Sequence, residues 1–134
     1  MFGSTPAFSS FSVDDIAAAR AFYGEVLGLP TGGEGESENE GGHERQVLIL
    51  TLTGGAKVFV YPKGDRHVPA SFTVLNFQVD DIDAAVDALV AKGVELRRYP
   101  GFDFDAKGIC RDPRGPAIAW FTDPADNVLA VLQS

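Results

Sequence analysis

Residues 11–23 read FSVDDIAAARAFY, and residues 77–89 read FQVDDIDAAVDAL. At a constant offset of 66, seven of the thirteen positions agree: Phe11/Phe77, Val13/Val79, Asp14/Asp80, Asp15/Asp81, Ile16/Ile82, Ala18/Ala84 and Ala19/Ala85. One capped helix recurs easily by chance. An offset close to half of the 134-residue chain marks a duplicated unit instead. Phe11 and Val13 alternate with Ser10 and Ser12, while Leu75, Phe77 and Val79 alternate with Val74, Asn76 and Gln78. Period-two alternation predicts a strand with one apolar face, so Leu75 and Phe77 are expected to pack as core against a helix. Asp14-Asp15 and Asp80-Asp81 then supply an N-cap carboxylate at the positive end of a helix dipole. Ile82, Ala85, Val86, Leu89 and Val90 form one apolar stripe, and Ile16, Ala19, Tyr23 and Val26 serve the same purpose in the first copy. Gly28 and Gly93 follow the last turns, where a left-handed C-cap needs no Cβ.

Outward from the repeats come further strand signals. The first half has a weak one near residue 30, then Gln46–Thr53 and Lys57–Tyr61, joined across Gly54-Gly55 as a hairpin. The second half has Val94–Tyr99, Ala117–Thr122 and Val128–Gln133. Each half therefore reads β-α-β-β-β, with modules at about 1–63 and 70–134 of a single domain over 1–134. Pro62–Pro69 is the joint between them. Pro100–Pro116, with three prolines, three glycines and Cys110, is a second loop. The acidic stretch Gly32–Arg45 holds five of the seven glutamates, but beside flexible glycines nothing preorganises them around a cation, and a solvated loop is the expectation.

Composition bounds the function. Hydrophobic residues make up 45% and charged residues 22%, a globular profile with enough chain for a real core. A formal net charge of −8 repels phosphate backbones and anionic lipid heads, so no nucleic-acid partner and no membrane partner are expected. No apolar run approaches the ~20 residues that cross a bilayer. Met1 to Ser10 lacks the basic and apolar blocks of a secretion signal, so a cytoplasmic location is expected. The single Cys110 makes no internal disulfide, and the two histidines show no zinc-ligand spacing.

Val13-Asp14-Asp15-Ile16, Phe22-Tyr23 with Leu27-Gly28-Leu29, and the closing Asp123-Pro124-Ala125-Asp126-Asn127 together resemble the vicinal oxygen chelate superfamily of glyoxalases, bleomycin-resistance proteins and extradiol dioxygenases. The resemblance covers essentially the whole chain. It implies an α+β fold, two tandem βαβββ modules forming facing curved mixed sheets with helices outside, a small-molecule ligand held in the cavity between the modules, and a homodimer. It says little about activity, because the superfamily hosts isomerases, dioxygenases, thiol transferases and plain binders.

In the metal-using relatives a His lies seven residues before the Asp that opens each helix; those positions are Phe8 and Val74 here. A Glu commonly lies seven residues after the Asp of the DP motif, which reaches Ala130, and the first-half counterpart falls in Lys57–Tyr61, best at Phe59 with Tyr61 on the same face. A divalent ion needs several N, O or S lone pairs converging at about 2 Å, which Phe, Val and Ala do not supply. No metal and no cofactor are therefore expected. Ser10, Ser12, Asn76 and Gln78 share the strand face but are neutral, so they are poor replacements. The concavity that remains, lined by Phe8, Ser10, Ser12, Phe59, Tyr61, Val74, Asn76, Ala130 and Leu132, suits a small organic molecule with a ring or chain and a few hydrogen-bonding groups. Trp120 and Phe121 lie on the neighbouring strand, and one of them should face inward.

The leading reading is a metal-free binder that sequesters a compound or confers resistance to it. The enzyme alternative is a lyase, isomerase or dioxygenase with an irregular metal site, or a metal-free catalyst using Tyr61, His67 or Cys110. Of these, His67 and His43 are expected in solvated loops and Cys110 as an ordinary thiol. Lys63 is expected as a solvated strand-end lysine. Catalytic residues are not assigned.

Overall fold

Asp15 and Asp81, the second aspartate of each repeated pair, are the residues that cap the two helices. Asp15 Oδ1 accepts from the backbone N–H of Ala17 at 3.0 Å and of Ala18 at 3.3 Å, and Asp81 Oδ1 accepts from that of Ala84 at 3.1 Å. The structure, a computed structural model, describes residues 1–33 and 47–134. The acidic stretch from Glu34 onward, His43 included, lies outside the described residues.

The chain divides into two units, Met1–Val68 and Pro69–Ser134. The first runs β1 (Ser9–Val13), α1 (Ile16–Arg20), a wider π-helical continuation (Ala21–Val26), β2 (Thr31–Gly32), β3 (Leu48–Thr51), β4 (Lys57–Pro62) and a 3-10 turn (Gly64–Arg66). Its sheet order is β1-β4-β3-β2, with β1 parallel to β4 and the other pairs antiparallel. The second unit runs β5 (Thr73–Gln78), α2 (Ile82–Ala91), β6 (Ala117–Thr122) and β7 (Val128–Gln133), in the order β5-β7-β6 with β5 parallel to β7. In both units the opening strand pairs parallel with the closing one, and a helix makes the crossover that parallel pairing requires. The fold is α+β with two mixed sheets.

Three local expectations change. Val94–Tyr99 is not a full strand; it meets the sheet at one bridge, where the Arg97 N–H donates to the Trp120 carbonyl at 2.8 Å. Arg98 turns away, its guanidinium donating to the carbonyls of Asp105 and Ala106, and Pro100 restricts the residue before it and has no N–H for a ladder. In α1 the helix widens, with the Leu27 N–H donating to the Phe22 carbonyl five residues back. The widening buries the adjacent Phe22 and Tyr23 together, while Val26 stays half-buried. Leu75 and Phe77, on the end strand β5, are half-buried rather than buried.

Strand parity assigns the faces. In the first unit Phe11 pairs with Val60 and Leu48 in turn pairs with Val60; Val13, Val58, Val60, Leu48 and Leu50 are all buried. Tyr23 closes this core with its ring 5.9 Å from that of Phe11. In the second unit Gln133 Oε1 accepts from the Ile82 N–H at 2.8 Å, which ties the first turn of α2 to the face carrying Leu129, Val131 and Gln133. Phe121 and Ala119, opposite Leu129 and Val131, belong to that buried face too. The far face, turned away from the unit's own helix, is what each sheet has left over.

The DPADN segment closes β6 onto β7 through a buried polar turn. Asp123 Oδ1 accepts from the N–H groups of Ala125 and Asn127 at 2.8 and 2.9 Å, and Oδ2 accepts from Asn127 Nδ2 at 3.1 Å. Asn127 Oδ1 accepts from the Ala70 N–H and so anchors the segment entering β5. Asp126 takes φ 68°, the one positive φ at a non-glycine among the described residues, as the hairpin demands. Two substitutions at this turn should move stability in opposite directions. Asp126→Gly removes the left-handed strain and should stabilise by about 0.5–1 kcal/mol after the unfolded-chain entropy is counted. Asp123→Ala strands three buried donors and should cost about 3 kcal/mol. Urea unfolding of the two variants beside the parent protein measures both.

Candidate functional site

The far face of the first sheet is built by two strands in register. Ser10 lies abreast of Phe59 and Ser12 abreast of Tyr61, because β1 and β4 run parallel. Ile49 of β3, opposite Phe59, joins them from the third strand. Phe8, one residue before β1, lays its ring on Phe59 with centroids 4.3 Å apart and planes tilted by 34°. Phe8 is 63% exposed, so the stacked pair offers an aromatic surface instead of filling a core. Five of the expected site residues, Phe8, Ser10, Ser12, Phe59 and Tyr61, thus sit in one patch. Ile49 was not anticipated, since Leu48–Thr51 is apolar on both parities and its sequence does not say which residue turns outward.

His67 is not the solvated loop residue expected. The 3-10 turn Gly64–Arg66 carries it back to the sheet, where it is half-buried with Nδ1 2.8 Å from Ser12 Oγ. The two share a hydrogen bond whose donor depends on the imidazole tautomer. Lys63 leaves its side chain in solvent while its N–H donates to the Val13 carbonyl at 2.8 Å.

On the far face of the second sheet, Asn76, Ala130 and Trp120 lie abreast, as do Gln78, Leu132 and Ile118. Val74 falls at a register shift between Thr73 and Leu75, an extra residue without a β7 partner. Ala130 is fully buried. Trp120, not Phe121, is on the far face; Phe121 is fully buried on the helix side. Around Trp120 gather Phe102, Tyr99 and Phe104, with ring centroids 5.2, 5.7 and 6.1 Å away. The three partners lie on irregular chain, where no periodicity could have flagged them.

Pro100–Pro116 is a folded element. Asp105 Oδ1 accepts from the N–H groups of Lys107 and Ile109, both at 2.9 Å, making a tight turn, and Cys110 bridges both Phe104 and Ile118. Ile109 and Cys110 are buried, so Cys110 is a packed thiol. Outside, Arg111 reaches Asp83 of α2 at 2.8 Å and Asp105 at 3.2 Å, while Lys107 reaches Asp87 at 3.1 Å and Asp83 at 3.6 Å. Arg98 adds its guanidinium over the Phe104 ring at 5.8 Å. A recess of about 270 Å³ beside this loop is lined by Phe102, Asp103, Cys110, Arg111, Asp112 and Arg114 among others. Its Arg111 and Arg114 are already committed to aspartates.

The superfamily's usual metal does not fit the residues at its positions: Phe8, Phe59, Val74 and Ala130 have no side-chain lone pair for an ion. Among the described residues no three His, Cys, Asp or Glu side chains come together in a group that could hold one. Nor is any helix among them long and apolar enough to cross a membrane.

The sequence matches the Glyoxalase/Bleomycin resistance protein/Dioxygenase superfamily over residues 8–131, and the chain belongs to that superfamily. Its fold is similar to that of TnmS3, an antibiotic binding protein from Streptomyces sp. CB03234, at 23% identity and a TM-score of 0.65, with 97% of each chain covered. A lactoylglutathione lyase from Agrobacterium tumefaciens is similar at 19% identity and a TM-score of 0.64, covering 98% of this chain and 94% of the other. A superfamily member from Sphaerobacter thermophilus DSM 20745 reaches a TM-score of 0.67 at 20% identity, with 96% and 98% covered. No curated protein matches the sequence. At these identities the structural likeness establishes the fold and leaves the chemistry to the site.

The ion pairs of the 100–116 loop predict how acid acts on it. The Arg111 guanidinium holds the Asp83 carboxyl below its ordinary 3.8, the Ile109 N–H does so for Asp105, and Arg114 lowers Asp112 to about 2. Lowered folded-state values mean that this stabilisation is complete above about pH 4 and fades as pH falls through the folded values. Protection of the Ile109 amide, measured against its intrinsic exchange rate at each pH, should therefore fall between about pH 4 and pH 2, ahead of protection in β7. Asp83→Asn should show the looser loop already at neutral pH. Equal protection of Ile109 at pH 6 and pH 2.5 would contradict the account.

Proposed function

We propose that the protein binds a small organic molecule on the far face of its first sheet, with no metal at the superfamily's usual ligand positions, and that it sequesters this compound or confers resistance to it. The observation that carries the reading is the replacement of metal-ligand positions by a stacked aromatic pair, Phe8 on Phe59, beside the hydroxyls of Ser10, Ser12 and Tyr61. An exposed aromatic surface bordered by a few polar groups suits a ligand with a ring and hydrogen-bonding substituents. That a protein of the same fold binds an antibiotic supports the reading. Among the described residues, the metal-dependent alternative, a lyase, isomerase or dioxygenase with an irregular ligand set, has no grouping of three His, Cys, Asp or Glu side chains behind it.

Native mass spectrometry of protein purified under mild conditions tests the reading directly. A co-purifying organic compound is the expected result, and Phe59→Ala should weaken its binding about tenfold through loss of the stacking surface. Metal content and titration with Zn²⁺, Ni²⁺, Mn²⁺ and Fe²⁺ form the second arm. One equivalent of ion bound through protein side chains would sink the metal-free reading.

A further inference from the structure

We propose that the far face of the second sheet holds a site for an aromatic carboxylate, in which Arg97 takes the carboxylate and the rings of Trp120 and Phe102 take the aromatic part. The assignment rests on the second unit alone and goes beyond the small-molecule reading above. Of the five cations between residues 97 and 114, Lys107, Arg111 and Arg114 are paired with aspartates. Arg98 is spent on the carbonyls of Asp105 and Ala106 and on the Phe104 ring. Arg97 differs. Its Nη2 donates to the neutral Thr122 Oγ1 at 3.1 Å, and among the described residues it forms no ion pair with Glu95, Asp103 or any other carboxylate.

The geometry turns this guanidinium toward the rings. Arg97 faces Trp120 across an antiparallel bridge, with its N–H donating to the Trp120 carbonyl at 2.8 Å. Facing residues of such a bridge lie about 4.5–5.5 Å apart with their side chains on one side. Thr122 is two residues beyond Trp120 on β6 and shares its side of the strand, so the bond to Thr122 holds the guanidinium along the far face, exposed but oriented. Phe102 lies 5.2 Å from Trp120 with planes tilted by 50°, and it is 51% exposed, so ring surface stays open to a ligand there. Tyr99 and Phe104 meet Trp120 edge to face and fix its plane. A carboxylate bonded directly to a ring lying on Trp120 and Phe102 comes within reach of Arg97, whose planar fork matches two carboxylate oxygens. Arg98, over Phe104, adds positive charge and disfavours a cationic ligand. A neutral ring would gain the stacking surface but leave the guanidinium unanswered.

Trp120 is the only tryptophan of the chain, so its indole N–H gives a single resonance that reports on this face. The test is titration of ¹⁵N-labelled protein with 2-naphthoate and with its neutral amide, 2-naphthamide, at neutral pH. Both should shift the indole resonance, and 2-naphthoate should bind about tenfold more tightly, the scale of one charge-assisted hydrogen bond. Raising salt from about 0.05 M to about 0.5 M should shrink that preference. Arg97→Gln should erase it while 2-naphthamide binds as before. Lys92→Gln, the same change of charge at an exposed position after α2, should keep it, and Phe102→Ala should weaken both compounds alike. Equal affinity for the two compounds in the parent protein, a preference surviving Arg97→Gln, or its equal loss in Lys92→Gln would overturn carboxylate recognition by Arg97. An indole resonance unmoved by either compound would overturn the site itself. The first-sheet reading has its own test in the co-purifying compound and Phe59→Ala, and it stands or falls there.

Discussion

Parallel pairing between the first and last strand of each unit is the constraint from which the remaining geometry follows. Parallel neighbours cannot be joined by a tight turn, so the chain must cross over, and α1 and α2 are those crossovers. A helix lying across a sheet buries one side-chain parity and leaves the other. With β1 in register with β4, Phe11 and Val60 are committed to the core, and Ser10, Ser12, Phe59 and Tyr61 to the far face. A slip of one residue would exchange the two sets and place serines against Tyr23. The aspartate caps matter here because they start each helix at a fixed residue after the strand, which sets the angle at which the crossover leaves the sheet.

The two units solve the same problem with unequal means. Among the described residues the first has a four-strand sheet, whereas the second has three strands and isolated bridges onto β6 from Arg97 and Cys110. What stands in the place of regular pairing is a loop organised by Asp105, locked inside by Ile109 and Cys110 and outside by Lys107 and Arg111 on the aspartates of α2. Exposed pairs of this kind contribute little individually. Their effect here is positional: they hold Phe102 and Phe104 against Trp120, so an electrostatic network on one side of the unit sets an aromatic arrangement on the other.

The sequence made the fold legible because the signals that define it are local and repeated. An aspartate before a 3.6-period stripe, alternation before the aspartate and glycine after the helix each have one dominant physical reading, and each occurs twice. The far-face parity of β1 and β4 was legible for the same reason. The rest was not, because it depends on chain segments without periodicity. That His67 returns to Ser12 across 55 residues follows from a 3-10 turn whose three residues could equally stay in solvent. Tyr99, Phe102 and Phe104 converge on Trp120 through loop closure, and Val74 loses its expected strand partner to a bulge that apolar alternation does not encode.

Superfamily membership and missing ligand residues are compatible because backbone register and side-chain chemistry are separable. The strands decide that positions 8 and 59 meet on the far face; they do not decide that the groups there must bind an ion. Two residues with lone pairs at that spacing converge on a metal, and two phenylalanines at the same spacing stack at 4.3 Å. On the proposed reading, recognition at this face rests on dispersion and desolvation, which are less directional than charge neutralisation. A face built on stacking alone would accept many flat molecules. On that same reading direction comes from polar groups at its edge, and on the first sheet the hydroxyls of Ser10, Ser12 and Tyr61 lie abreast of or next to the aromatic pair.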